Sequence, residues 1–183
     1  MKQRNQTLCV TFCGILTALA VVCLFFAGVV PFLSYALPAL AGVLLVPVVV
    51  EMGARWAWPT YIAISVLGFL IAPNKETTLL FVLFFGHYTI LKALFERRFH
   101  GAVQYLLKLA TFNVCVIVDF WLCVFVLGVP KESFTIAGVY LPGVLLLLGN
   151  VVFLFYDYAF RAVVWIYASR FHPLIHKWLS SRM

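Results

Sequence analysis

The sequence predicts an all-α, polytopic membrane protein of six transmembrane helices with both termini in the cytoplasm. Three observations carry that expectation: composition, the length of the apolar runs, and the placement of Lys and Arg. The chain of 183 residues is 65% hydrophobic and only 10% charged, with a mean hydropathy of +1.08. A soluble domain is about 45–50% apolar and about 25% charged, so no soluble fold of this size hides so much apolar surface. The hydrophobic residues come in runs of about 16–25, long enough to cross roughly 30 Å of hydrocarbon as a helix. The strand alternation of a membrane barrel is absent, and backbone groups in lipid are satisfied within a helix.

Read in order, the first span covers 8–29 and is retained rather than cleaved, because its apolar run has no small-x-small site before a polar mature chain. Pro31 and Ser34 mark a short turn. The second span, 35–50, contains Pro38, Gly42 and Pro47, which predict a kinked or partly unwound helix. Glu51–Arg55 is a loop, the third span covers 57–72, and Pro73–Thr77 is a turn. The fourth span covers 78–95 and ends at "ERRFHG"; the fifth covers 104–128; "PKES" at 130–133 is the next turn. The sixth starts near 134–143, with Pro142 a candidate beginning, and runs to 168. Residues 1–168 thus form a single six-helix transmembrane domain. Residues 169–183, "SRFHPLIHKWLSSRM", form a basic amphipathic cytoplasmic tail suited to the membrane surface.

Charge sets the orientation. Alternate loops and span ends carry Lys2 and Arg4; Arg55; Lys92, Arg97, Arg98 and Lys108; and Arg161, Arg170, Lys177 and Arg182. The opposite turns carry only Lys75 and Lys131, each beside a Glu. By the positive-inside rule the first set is cytoplasmic, and the turns at 30–34, 73–77 and 130–133 face outward. The net charge of +7 therefore reads as membrane orientation. No basic face with interleaved aromatics suggests nucleic acid.

Polar residues at membrane depth are functional candidates by default. Asp119 lies about nine residues from the outer end of the fifth span, near the midplane. His87 sits near the centre of the fourth, Asn113 in the fifth and Asn150 in the sixth. Asp119 either pairs with His87 or Asn150 to lock helices, or belongs to a polar patch facing a cavity or to a proton-linked site. His87 alone reads as a hydrogen-bonded packing residue, and the asparagines as interhelical glue. Trp56, Trp58, Trp165 and Trp178 lie near inner boundaries as interface anchors. Tyr35, Tyr88, Trp121 and Tyr140 lie outward of that belt and are candidates to line an outer pocket. Asn74, Lys75 and Glu76 form the outer turn best placed for ligand contact. Gly14 and Ala18, four apart, allow close approach of another helix.

No catalytic, metal or cofactor constellation emerges. The intramembrane CAAX-type proteases use paired glutamates and a Phe-x-x-x-His motif. Here Met52 follows Glu51, Leu83 stands four residues before His87, and no GxSxG occurs. The five cysteines lie in apolar runs with no CxxC pair and read as small apolar residues. The chain reads as a non-enzyme without cofactor or bound metal.

The whole pattern resembles the substrate-specific (S) components of energy-coupling factor transporters, small bacterial six-helix proteins. The features that carry it are six spans with both ends inside, the small-residue-rich "LTALAVVCLFFAGVVPF", and the Pro- and Gly-rich stretch from Ser34 to Pro73. The resemblance implies a multi-pass protein of the bacterial plasma membrane that binds a small, vitamin-like polar solute on its outer side. It also implies partners: a transmembrane coupling subunit and two cytoplasmic ATPases, which topple the S component to release substrate inside. In that family an Ala-x-x-x-Ala stretch of the first helix docks the coupling subunit; Gly14 and Ala18 are the nearest match here, differing at one position. Tyr35, Asn74, Lys75, Glu76, His87, Tyr88, Asp119, Trp121 and Tyr140 are the candidate substrate-binding residues. The competing reading is a small cell-envelope membrane scaffold with no transport role, resembling the rod-shape-determining inner-membrane proteins. In it the polar residues at depth are helix–helix glue.

Overall fold

A computed structural model describes residues 2–99, 101–128, 135–136, 139–140 and 142–171. Among these described residues eight α-helices follow in order: α1 Lys2–Val29, α2 Ala36–Val43, α3 Val46–Met52, α4 Ala54–Ile71, α5 Lys75–Leu80, α6 Gly86–Arg98, α7 Ala102–Phe125 and α8 Pro142–Ile166. A π-helical turn, Phe81–Phe85, joins α5 to α6 without a break, and another, Tyr167–Phe171, prolongs α8. The only sheet among the described residues is a two-residue antiparallel ladder, β1 Thr135–Ile136 with β2 Val139–Tyr140.

Five helices among the described residues are long and apolar enough to cross a membrane: Gln6–Val29, Ala54–Ile71, Lys75–Arg98, Ala102–Phe125 and Leu146–Arg170. The predicted second span, 35–50, is instead the shorter, broken pair Ala36–Met52. The fifth span stops at Phe125 rather than 128. The last begins at Pro142, the candidate beginning, a residue suited to the first helical position because it lacks the N–H left unpaired there. The predicted turn at 130–133 and residues 172–183 of the predicted tail lie outside the described residues.

The break between α2 and α3 falls at Leu44–Leu45. Pro47 has no N–H for the Val43 carbonyl, so the ladder cannot continue through it. The Leu45 N–H turns back to the Gly42 carbonyl at 3.2 Å, a tighter turn. The Gly42 carbonyl is met again by the Thr89 hydroxyl of α6 at 2.9 Å. Here the chains touch: a Cβ on Gly42 would lie 2.6 Å from the Phe85 carbonyl oxygen.

The π turn has its own local compensation. The Gly86 N–H reaches the Phe81 carbonyl, five residues back, in place of the Val82 carbonyl. Val82 is satisfied by side chains, accepting from the Tyr61 hydroxyl at 2.7 Å and lying 3.4 Å from His87 Nδ1. The other His87 ring nitrogen lies 3.5 Å from Cys115 Sγ.

Lys75–Arg98 is the central column. In its most apolar stretch 44% of residues are buried inside the protein, against 17–22% in the other four long helices. Its faces meet α2, α4 and α7. The outer helices turn large side chains outward, among them Phe26, Leu70, Leu147, Phe155 and Trp165, as lipid-facing helices do. One end of the bundle carries the Pro31–Leu33 turn and Asn74; the other carries Gly53, Arg98 and Gly101.

The tight approach at Gly42 predicts that Gly42→Ala destabilises the protein by about 1–3 kcal/mol. At Gly14 a Cβ meets nothing within 4 Å, so Gly14→Ala leaves stability unchanged or slightly raised. Thermal unfolding of both variants in one detergent compares them directly.

Candidate functional site

Three regions stand out, two polar and one apolar, each built by the elements that carry it. The first is a charged cluster toward the Arg98 end of the bundle. Lys92 of α6 and Lys108 of α7 are each 2% exposed, and the Asp157 side chain of α8 is 4% exposed. Asp157 Oδ1 forms a very short ion pair with Lys92 Nζ and accepts the Tyr88 hydroxyl at 2.6 Å. Its Oδ2 lies 3.5 Å from Lys108 Nζ and 3.4 Å from the Arg161 guanidinium. Glu96 Oε1 completes the cluster, 3.1 Å from Lys92 and 2.6 Å from Lys108. The surrounding wall is aromatic: Phe112 stacks on Phe153 at 4.7 Å and 14°, and the Lys92 ammonium lies 5.6 Å from the Phe160 ring centre.

This cluster corrects the sequence reading at three points. Lys92 and Lys108 are not loop-end basic residues; both ammonium groups are inside the bundle. Tyr88 does not line a pocket at the Asn74 end; it is fully buried and bound to Asp157. Asp157 itself is missing from the sequence-based candidates. A signal for it exists, as an acid isolated in the apolar run 143–160 with Arg161 four residues on, one helical turn away.

The second region is at the Asn74 end. Asn74 caps α5, its Oδ1 accepting the backbone N–H groups of Glu76 and Thr77 at 2.9 and 3.3 Å. Its carbonyl accepts the hydroxyls of Thr77 and Thr78. The Lys75 ammonium donates to the carbonyls of Phe69 and Ala72 at 2.6 and 2.8 Å, closing the end of α4. A Cβ on Gly28 would lie 2.7 Å from the Asn74 nitrogen, so α1 packs directly on this turn. Asn74 and Lys75 thus have capping roles, as the residue types favoured at helix ends do. Glu76 remains exposed.

Asp119 lies six residues before the end of α7, about halfway between the middle of that helix and its Asn74 end. Glu76 and Tyr35 are within electrostatic reach of it. Neither expected partner is there: Asn150 exchanges two hydrogen bonds with Asn113 at 2.8 and 2.9 Å, and His87 is bound at the π turn. Asp119 Oδ1 is buried and has no hydrogen-bond partner among the described residues. Tyr35 is exposed at the start of α2, and Trp121, also exposed, stacks on Phe125 at 4.7 Å and 10°. Tyr140 lies in the ladder, its backbone paired with Thr135.

The third region is an open, apolar groove of about 670 Å3 between α1 and α4. Val10, Gly14, Ala18, Pro59, Ala63 and Ile71 are among its walls, so the two residues singled out for close helix approach face open space.

No family model matches the chain, and no curated protein or solved structure matches it either.

The charged cluster yields a sharp expectation. Removing one partner of a buried ion pair leaves the other uncompensated, at a cost of about 3–5 kcal/mol. Asp157→Ala lowers the unfolding temperature accordingly, and Asp157→Ala with Lys92→Met restores part of the loss. Equal stability of wild type and Asp157→Ala in detergent would show that the cluster carries no such weight.

Proposed function

We propose that this chain is the substrate-binding membrane subunit of an energy-coupling-factor-type ABC importer of the bacterial plasma membrane, capturing a small polar, vitamin-like solute on the outer face. The observation that supports the reading best is Asp119. A carboxylate at membrane depth is costly unless its oxygens are met. The other polar side chains singled out at depth hold the bundle together. Asn113 binds Asn150, and His87 spans Val82 and Cys115. Asp119 has an oxygen with no partner among the described residues, in the half of the bundle that the charge bias assigns to the outside. A solute presenting an N–H or O–H donor would satisfy it, with Glu76 and Tyr35 within electrostatic reach.

The groove over Gly14 and Ala18 suits the second part of the proposal, a transmembrane coupling subunit that works with two ATPases. Small side chains let a partner helix approach closely, and in lipid that packing is what drives helix association. The same groove favours the second reading, a cell-envelope scaffold with no transport role. Solute binding separates the two.

The test is a thermal-shift screen of the purified protein in detergent against vitamins, amino acids and nucleobases. A stabilising compound should bind about ten- to a hundredfold more weakly to Asp119→Asn, as loss of a hydrogen bond to a charged group requires. Lys75→Ala, in contrast, lowers the stability of the free protein, because its ammonium closes α4. No shift with any compound, together with a membrane-protein partner whose co-purification is lost in Gly14→Leu, would favour the scaffold.

A further inference from the structure

The charged cluster does not balance. Lys92, Lys108 and Arg161 face two carboxylates, Glu96 and Asp157, which leaves one positive charge over among the described residues. Both lysines are buried; Arg161, whose side chain is 45% exposed, carries the surplus to the surface. Its guanidinium lies over the Tyr105 ring at 5.4 Å and donates to the Tyr105 hydroxyl at 3.0 Å, while a second nitrogen faces Asp157. A guanidinium has five N–H donors in a fork, so these contacts orient the group and leave donors directed outward.

The helix face that carries it is apolar and outward-facing: Trp165, four residues on, is 71% exposed, and Tyr158 and Leu154, three and seven residues back, are 73% and 51% exposed. Tyr105 is three residues from the start of α7, about 5 Å along the helix axis, and the Arg161 guanidinium meets its hydroxyl. A long Arg side chain at that depth reaches the headgroup layer. Trp165, one turn nearer the end, is the residue type that anchors at that level.

We infer that the Arg161–Tyr105 face between α7 and α8 binds the headgroup of an anionic phospholipid, its phosphate seated on the outward guanidinium donors. The shelf of Tyr105 fixes the guanidinium plane, and the lipid's net negative charge balances the surplus cation of the cluster. A zwitterionic lipid offers the same phosphate without the balancing charge, so the site discriminates by headgroup charge. The acyl chains lie along the exposed face of α8 that Leu154 and Tyr158 share with Arg161. Basic pockets between helices at a membrane surface bind anionic headgroups for the same reasons.

The full-length protein in a neutral detergent tests this by thermal unfolding with added phosphatidylglycerol, phosphatidylcholine or inorganic phosphate, alongside native mass spectrometry of retained lipid. Phosphatidylglycerol should raise the unfolding temperature of wild type by about 3–6 °C at saturation and remain bound to it. The rise should vanish in Arg161→Gln, shrink in Arg161→Lys, which keeps charge without the fork, and persist in Arg98→Gln, which removes an exposed cation outside the face. If Arg161→Gln does not yield folded protein, Tyr105→Leu serves instead, with the rise expected to fall by half or more. Equal shifts from the two lipids, an undiminished shift in Arg161→Gln or Tyr105→Leu, or stabilisation by inorganic phosphate alone would overturn the proposal.

Discussion

The Asp157 carboxylate organises one end of this protein. It is the point where the central column, α7 and α8 are joined by something other than apolar contact, because Lys92, Lys108 and Tyr88 all converge on it. In a lipid environment apolar side chains gain little by leaving lipid for one another, so packing detail and polar contacts between helices carry more of the specificity. α8 illustrates this. Much of its surface is turned outward, and its attachment rests on Phe153, Tyr156 and Phe160, the Asn150 pair with Asn113 and the one acid among them. Once the acid is buried, the lysines must follow it, and Glu96 must follow the lysines. The rotation of three helices is set by charge pairing.

At the opposite end the same requirement is met by short-range capping. Asn74 and Lys75 close the ends of two consecutive helices through backbone groups, with no long-range ion pair among the described residues. Between the ends lie two backbone irregularities in contact, the α2–α3 break and the π turn. The π turn frees the Val82 carbonyl from its regular partner, and the Tyr61 hydroxyl meets it; at the break the Gly42 carbonyl, which accepts the Leu45 N–H of the tighter turn, also takes the Thr89 hydroxyl. Irregular backbone at membrane depth is tolerated where protein rather than lipid surrounds it, which is where the central column places both.

Most polar groups are satisfied; the buried Tyr156 hydroxyl has no hydrogen-bond partner among the described residues, and two further exceptions point to function. Asp119 holds an unmet oxygen toward the Asn74 end; Arg161 holds surplus charge at the other. They are unlike in chemistry and in setting. The carboxylate is partly buried within the bundle and suits a small solute; the guanidinium faces outward beside tryptophan and leucine and suits a lipid. The open groove on α1 and α4 is a third, uncharged surface, open to a protein partner without disturbing either.

The sequence by itself determined the class of the protein, because apolar run length and charge placement are properties of the chain and need no knowledge of neighbours. It showed the five long helices, the discontinuity around Pro47, the turn at Asn74 and the Asn113 and Asn150 glue. It also exposed Asp119, a lone acid in an apolar run. Which polar residues meet was decided by tertiary structure alone. Lys92, Lys108 and Arg161 read as cytoplasmic anchors in a linear count, since a lysine near the end of an apolar run looks the same whether its ammonium snorkels to water or turns inward. Only the rotation of each helix about its axis separates those outcomes, and that rotation is fixed by contacts between residues 49 to 69 positions apart, such as Asp157 with Lys108 and with Tyr88. Tyr88 followed the same logic, its aromatic ring suggesting an interface and its hydroxyl finding an acid that lies 69 residues away in the chain.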